Sequence, residues 1–254
     1  MFPKYPFPML GRIERCWLFT FREPVESLAP LVPEPLSPVM RDGFAFWNVV
    51  VCEIAGMRPS FAPRALGLRY RHVAYRIYVR HKPENAPPVE GLYFVRSDAD
   101  SHLIGGAGEL LTDFRFHHAG IDIDQTEAHA EIAVGSPDAP ARVGIDLLAR
   151  PELPDGSPFG SLFEAKAALR YKPYAFAPDG HGGVRTLRVV RDEFSWKSKL
   201  VAADTDFAFL RGRDAKPEIN YQVDPIDYRW ERAAIHPAPA TSPAPHRAPS
   251  PSGA

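Results

Sequence analysis

Tyr70 to His81 reads Tyr-Arg-His-Val-Ala-Tyr-Arg-Ile-Tyr-Val-Arg-His and alternates with a period of two. Successive side chains of such a segment point to opposite faces of a sheet. One face carries Val73, Tyr75, Ile77 and Val79. The other carries Tyr70, His72, Ala74, Arg76, Tyr78 and Arg80. A strand with one apolar face and one Arg/His/Tyr face is either a half-solvated edge or the wall of a polar pocket.

The neighbouring segments are also strand-like. Residues 11–21 are rich in aromatics, and 44–54, after the Asp42-Gly43 turn signal, are apolar on both faces, as in a buried strand. Further strands are expected at 91–97, 113–118, 126–134, 140–147, 166–177, 183–192 and 194–203, with a last ordered segment at 221–230. Pro24 to Val32 has the apolar stripe of a short helix that Pro33 and Pro35 end. Asp100–Leu111, Ser161–Ala165 and Asp204–Leu210 are further helical candidates. Gly105, Gly106 and Gly108 weaken the first of these, or else mark a close backbone approach. The reading is α+β, mainly antiparallel β, with residues 1–233 forming one domain, a barrel or sandwich. Residues 234–254 are mostly Pro, Ala and Ser and are expected to be a disordered tail.

With 30 basic and 31 acidic residues, scattered along the chain, no nucleic-acid footprint is expected. No apolar run reaches membrane-span length, and prolines interrupt the N-terminal stretch where a signal peptide would be apolar. The expected setting is the cytoplasm, with no membrane partner and association with further copies left open. Cys16 and Cys52 lie in separate strands and read as small buried hydrophobes. His117 and His118 would point to opposite faces of a strand, so no metal is expected there, and nothing in the sequence calls for a cofactor. Gly105-Gly106-Ala107-Gly108 lacks the Lys-Ser/Thr that a phosphate loop needs.

Five segments, in order, resemble the YqjF-like family of the acetoacetate decarboxylase-like superfamily. They are Glu26-Ser-Leu-Ala-Pro-Leu-Val-Pro-Glu-Pro-Leu, Asp42-Gly-Phe-Ala-Phe-Trp-Asn-Val-Val, Arg76-Ile-Tyr-Val-Arg, Gly91-Leu-Tyr-Phe-Val-Arg-Ser-Asp-Ala-Asp-Ser and Ala168-Leu-Arg-Tyr-Lys. They span roughly residues 10 to 230. The resemblance implies a β-barrel with a few short helices and a pocket inside it. Two departures stand out. Where the family often has Glu and Asn before the strand arginine, this chain has His72 and Ala74. The decarboxylase branch forms a Schiff base on a lysine expected near 95–116, but no lysine occurs between Lys82 and Lys166.

Arg76 is the leading candidate for binding. A guanidinium inside a barrel needs a carboxylate, supplied either by an acidic substrate or by a protein Asp or Glu. His72 shares its face, about 13 Å along the strand, as a general acid or base or as a strand-end histidine. Asp98, Asp100 and His102 cluster with Ser101 after the strand at 91–97. They read either as a proton-transfer group or as a turn with Asp100 or Ser101 capping the following helix. Trp47, Tyr78 and Tyr93 fill core or line the pocket beside the substrate. Lys197 and Lys199, beside Trp196, are the remaining strand lysines that could form an imine, or they are solvent-exposed.

Two functions follow. One is an enzyme that acts on a small carboxylate or keto acid through an enol, with catalytic His72, Asp98, Asp100 and His102 and substrate-binding Arg76, Tyr78, Tyr93 and Trp47. The other is a barrel that binds a small ligand without turning it over.

Overall fold

In the computed structural model, residues 4–83, 86–192 and 197–236 are described. The strands are β1 (Met9–Pro24), β2 (Ser37–Pro38), β3 (Met40–Arg41), β4 (Phe44–Pro59), β5 (Leu68–His81), β6 (Val89–Ala99), β7 (Phe116–His118), β8 (Gly120–Gln125) and β9 (His129–Gly135). They continue as β10 (Ala141–Asp146), β11 (Tyr174–Pro178), β12 (Val184–Arg191), β13 (Ser198–Leu200), β14 (Ala202–Phe207), β15 (Lys216–Val223), β16 (Ile226–Trp230) and β17 (Ala234–His236). The α-helices are α1 (Val25–Leu28), α2 (His102–Leu111) and α3 (Leu162–Ala168).

The larger sheet curls round on itself. β1 pairs antiparallel with β4 over nearly its whole length, β4 with β5, and β5 with β6. β6 runs parallel to β11, then β12 and β16 lead back to the first half of β1. This ring of hydrogen-bonded strands has an inner and an outer face, and the period-two pattern assigns side chains to each.

On the outer face, Trp17, Phe19, Trp47, Val49, Val51, Val73, Tyr75, Ile77 and Val79 form one buried cluster. A second, four-stranded sheet of β14, β10, β9 and β8 covers them. Its strands alternate strictly, so Ile121, Ile123, Ile132, Val134, Val143 and Ile145 join that cluster while Asp122, Asp124, Glu131 and Arg142 stay exposed. The inner face holds a separate cluster that includes Cys16, Leu18, Val50, Cys52, Ala74, Tyr78, Leu92, Phe94 and Tyr221. Both faces of β4 and β5 are therefore buried. The polar face of β5 is the wall of an interior, not an exposed edge.

Several local expectations are corrected. The strand expected at 126–134 is β9, which starts only at His129 after the turn that joins it to β8. The strand expected at 166–177 begins as the end of α3, and β11 starts only at Tyr174. Ser161 and Glu164 form a reciprocal cap: Ser161 Oγ accepts from Glu164 N at 3.2 Å, and Glu164 Oε2 accepts from Gly160 N at 2.8 Å. Asp204–Leu210 is mostly β14, with one 3-10 turn at its end. Residues 221–230 split at Asp224-Pro225 into β15 and β16. The start of the expected tail forms β17, paired with β12, whereas the tail from 237 onward and Trp196 lie outside the described residues.

Candidate active site

Inside the ring is a cavity of about 90 Å³. Its wall includes His72 and Arg76 from β5, Cys16 from β1, Cys52 from β4, Phe94 from β6 and Arg191 from β12. Tyr171 and Lys172, from the loop before β11, complete one side, and among the described residues no Asp or Glu lines it.

Arg76 points inward because it shares the face of Ala74 and Tyr78, and strand pairing sets Asn48 of β4 directly opposite. The guanidinium Nη2 donates to Asn48 Oδ1, Nε donates to the Asn48 carbonyl at 3.4 Å, and Cζ lies 5.5 Å from the Phe94 ring centre. Among the described residues, no carboxylate lies within ion-pairing distance of it. Burial lowers its pKa, and the groups whose charge it feels are Tyr78, Cys16, Cys52 and Tyr221. A buried cation held only by a neutral amide is electrostatically incomplete.

Asn48 is itself fixed. Its Nδ2 donates to the Tyr78 hydroxyl, which donates to the Leu169 carbonyl, and Tyr221 Oη donates to that carbonyl at 2.9 Å. Loop residue Leu169 thus ties β4, β5 and β15 together beneath the guanidinium.

His72, Cys52 and Cys16 occupy one row across β5, β4 and β1. The His72 ring lies 5.2 Å from that of Phe116, tilted by 33°, and its Nε2 has no hydrogen-bond partner among the described residues. Burial, with Arg76 adding to it, pushes its pKa down to about 3, so the imidazole is neutral. Burial likewise pushes the Cys16 thiol up to about 11 and Cys52 higher still, so neither is a thiolate nucleophile at neutral pH.

Of the side chains singled out from the sequence, Arg76 and His72 line the cavity. Tyr78 supports it through Asn48. The other five lie elsewhere. Asp98 belongs to the outer face, where it accepts from Arg96 at 2.9 and 2.8 Å and from Ser136 at 3.1 Å. A bulge in β6 is the cause. Phe94 pairs with Arg76 but Arg96 pairs with Tyr75, so Val95 is the extra residue and every later side chain changes face. Asp100 accepts from the Arg71 backbone N–H at 2.7 Å. Ser101 caps α2 by accepting from Ile104 N, and exposed His102 stacks on His118 with ring centres 3.6 Å apart. Trp47 and Tyr93 lie on the outer face: Trp47 Nε1 donates to Glu23 at 2.7 Å, and Tyr93 Oη accepts from Arg115 at 2.6 Å. Lys197 and Lys199 are exposed.

Sequence reading missed Asn48 and Lys172. Asn48 sits in a strand buried on both faces, where alternation carries no polar signal. Lys172 ends the Ala168-Leu-Arg-Tyr-Lys segment and is a lysine on the cavity wall, its Nζ donating to Glu90 Oε2 at 2.7 Å. Among the described residues, no three His, Cys, Asp or Glu side chains are grouped to hold a metal ion, and no helix is long and apolar enough to cross a membrane.

The two-sheet architecture is that of the acetoacetate decarboxylase-like proteins. An acetoacetate decarboxylase-like enzyme from Sphingomonas wittichii RW1 superposes with a TM-score of 0.63 at 13% identity, over 91% of this chain and 93% of that one. The enduracididine biosynthesis enzyme MppR, complexed with the condensation product of pyruvate and imidazole 4-carboxaldehyde, gives 0.57 at 11% identity, over 93% and 91% of the two chains. Acetoacetate decarboxylase from Legionella pneumophila gives 0.57 at 11%, over 89% and 86%. No curated protein matches the sequence. The family model for the uncharacterized conserved proteins called DUF2071 matches residues 12–223, and the chain belongs to that family.

Proposed function

We propose that the ring cavity receives a small organic carboxylate whose acid group is held by Arg76. We further propose that the protein is an enzyme acting on a keto-acid-like substrate by proton transfer at an enolisable carbon. The observation that carries the reading is the buried guanidinium, paired with a neutral amide in a cavity on whose wall the described residues place cations and no acid. An incoming carboxylate supplies the missing charge through bidentate, charge-assisted hydrogen bonds. The size fits a small substrate, since about 90 Å³ is about three times the share of one water in the liquid. The neutral His72 imidazole, with Nε2 unpaired, accepts the proton in this scheme. The likeness to an enzyme seen with a pyruvate condensation product is consistent with a keto acid.

The chemistry proposed is enol-type, without an imine. Lys172 is committed to Glu90, its Nζ held by that carboxylate at 2.7 Å and so engaged away from a substrate carbonyl. Borohydride reduction in the presence of pyruvate therefore leaves Lys172 unmodified, and a reduced pyruvyl adduct there would replace the enol scheme with an imine. A second reading, binding without turnover, is favoured by the low pKa of His72, because an efficient general base titrates near the working pH. Deuterium exchange at the methyl group of pyruvate, followed by NMR, separates the two. Exchange that is lost in His72→Gln supports catalysis, whereas saturable pyruvate binding with no exchange supports the binder. Absence of pyruvate, acetoacetate and benzoate binding to the parent chain would overturn both.

A further inference from the structure

We propose that a second, separate cavity beneath α2 is a binding site for a small hydrocarbon group. It measures about 240 Å³. An engineered cavity of roughly 150 Å³ lined by Leu, Ile and Phe stays dry and takes up benzene, so this volume is ample for an aromatic ring or a short alkyl chain. Met9, Met57, Leu68, Ile104, Leu111 and Phe116 are among its apolar wall residues, and Trp230 is the one residue it shares with the Arg76 cavity.

Several polar groups on this wall are already engaged. Tyr5 Oη accepts from Asp113 N at 2.9 Å, and Thr112 Oγ1 donates to the Gly108 carbonyl at 2.6 Å. Glu231 at the rim pairs with Arg229 and Arg188. A water needs two to four polar partners to settle in a cavity, and a polar ligand would leave its own groups unsatisfied. An apolar guest meets neither obstacle. Because the space is concave and walled by buried side chains such as Met57, Tyr70 and Phe116, it suits a small molecule and not a docked protein segment.

The surroundings provide a way in. Ile104, Ala107, Gly108 and Leu111 face the cavity at helical spacing, and Leu103 and Leu110, one residue off that face, are exposed. Across from them, Leu66 is exposed, and exposed Phe61 packs edge-on to the wall residue Phe7 at 5.4 Å. α2 carries three glycines in ten residues, which weakens it. Gly105 and Gly106 have open space around them.

The test uses the full chain labelled with ¹³C-methyl methionine and titrated with toluene. Met9 and Met57 line the cavity, while Met40 is exposed and is not part of its wall. The expected result is saturable shifts of Met9 and Met57 with Met40 unmoved. These persist in Arg76→Ala and weaken at least tenfold in Ala107→Trp, which fills the space from the helix. Leu68→Trp fills it from the opposite wall and serves if the first variant misfolds. Neutral phosphatidylcholine vesicles distinguish the source: shifts at Met57 with vesicles assign a lipid acyl chain, and shifts with toluene alone assign a free lipophile. Unmoved Met9 and Met57, equal shifts at Met40, or toluene affinity unchanged in both filling variants would overturn the proposal. So would saturable displacement of toluene by pyruvate, which would merge this cavity with the Arg76 site.

Discussion

Replacing Asn48 with aspartate tests the electrostatic core of the proposed site. The substitution keeps the shape of the side chain but puts a charge where Arg76 now meets a neutral amide oxygen. At about 4 Å and an effective dielectric constant near 20, the new attraction is about 4 kcal/mol before desolvation of the added charge. The neighbours can adapt. The Tyr78 hydroxyl, which now accepts from the Asn48 amide and donates to Leu169, can turn its proton toward the introduced carboxylate. The Leu169 carbonyl keeps its bond from Tyr221. The guanidinium is then neutralised from within the protein. An incoming carboxylate loses charge-assisted bonds worth about 3 kcal/mol in sum, so its Kd rises about a hundredfold. The melting temperature is expected to hold or rise, because an incomplete buried charge has gained a partner. Asn48→Ala is the control. It removes the amide without adding charge, lowers stability by about 1–3 kcal/mol, and leaves carboxylate binding within about tenfold of the parent. The assay is calorimetric titration with pyruvate at pH 7, alongside thermal unfolding. Pyruvate binding to Asn48→Asp within threefold of the parent would refute the claim that Arg76 anchors the acid by charge.

His72 gives a pH prediction with a definite sign. Its pKa is about 3 when folded and about 6.5 when unfolded, so below pH 6.5 the unfolded chain takes up the proton. The stability of the neutral form is fully present above pH 6.5 and falls as the pH drops toward 3. Between pH 7 and pH 5 the loss is about 2 kcal/mol, and urea unfolding of His72→Phe should show that much less pH dependence over the same range. In α2, Gly108→Ala is destabilising because its Cβ would lie 2.3 Å from the Phe116 ring. Gly105→Ala and Gly106→Ala meet open space and each gain about 1 kcal/mol in helix propensity, as thermal unfolding can check. Asp98→Ala strips Arg96 of a buried partner and costs about 3 kcal/mol in denaturant unfolding, yet leaves pyruvate affinity unchanged because Asp98 faces away from the cavity.

Much of the fold was legible along the chain. Alternation over 70–81 correctly separated Val73, Tyr75, Ile77 and Val79 from His72, Ala74, Arg76 and Tyr78, because one strand face packs as one surface. The reading failed where the pattern loses its information. A residue inserted in β6 moved Asp98 to the wrong side, and nothing in Leu-Tyr-Phe-Val-Arg-Ser-Asp marks where a bulge will fall. Asn48 was invisible because β4 is buried on both faces. Lys172 was overlooked because its loop carries no periodicity, although it lay within a segment already set apart. The helix expected at Ser161–Ala165 is present but runs on to Ala168, into the segment where a strand was expected.

Where a strand carries no bulge, the sequence by itself determined which side chains share a face, since that depends only on backbone geometry repeated along the strand. It also carried the family, spread over five ordered segments. Only the tertiary structure decided which face is the inside. That choice depends on β1 meeting both β4 and β16 to close the ring, and on the second sheet covering the other face, contacts between residues far apart in the chain. The same closure leaves Arg76 opposite a neutral amide, with no acid beside it among the described residues, and that is a property of the assembled interior.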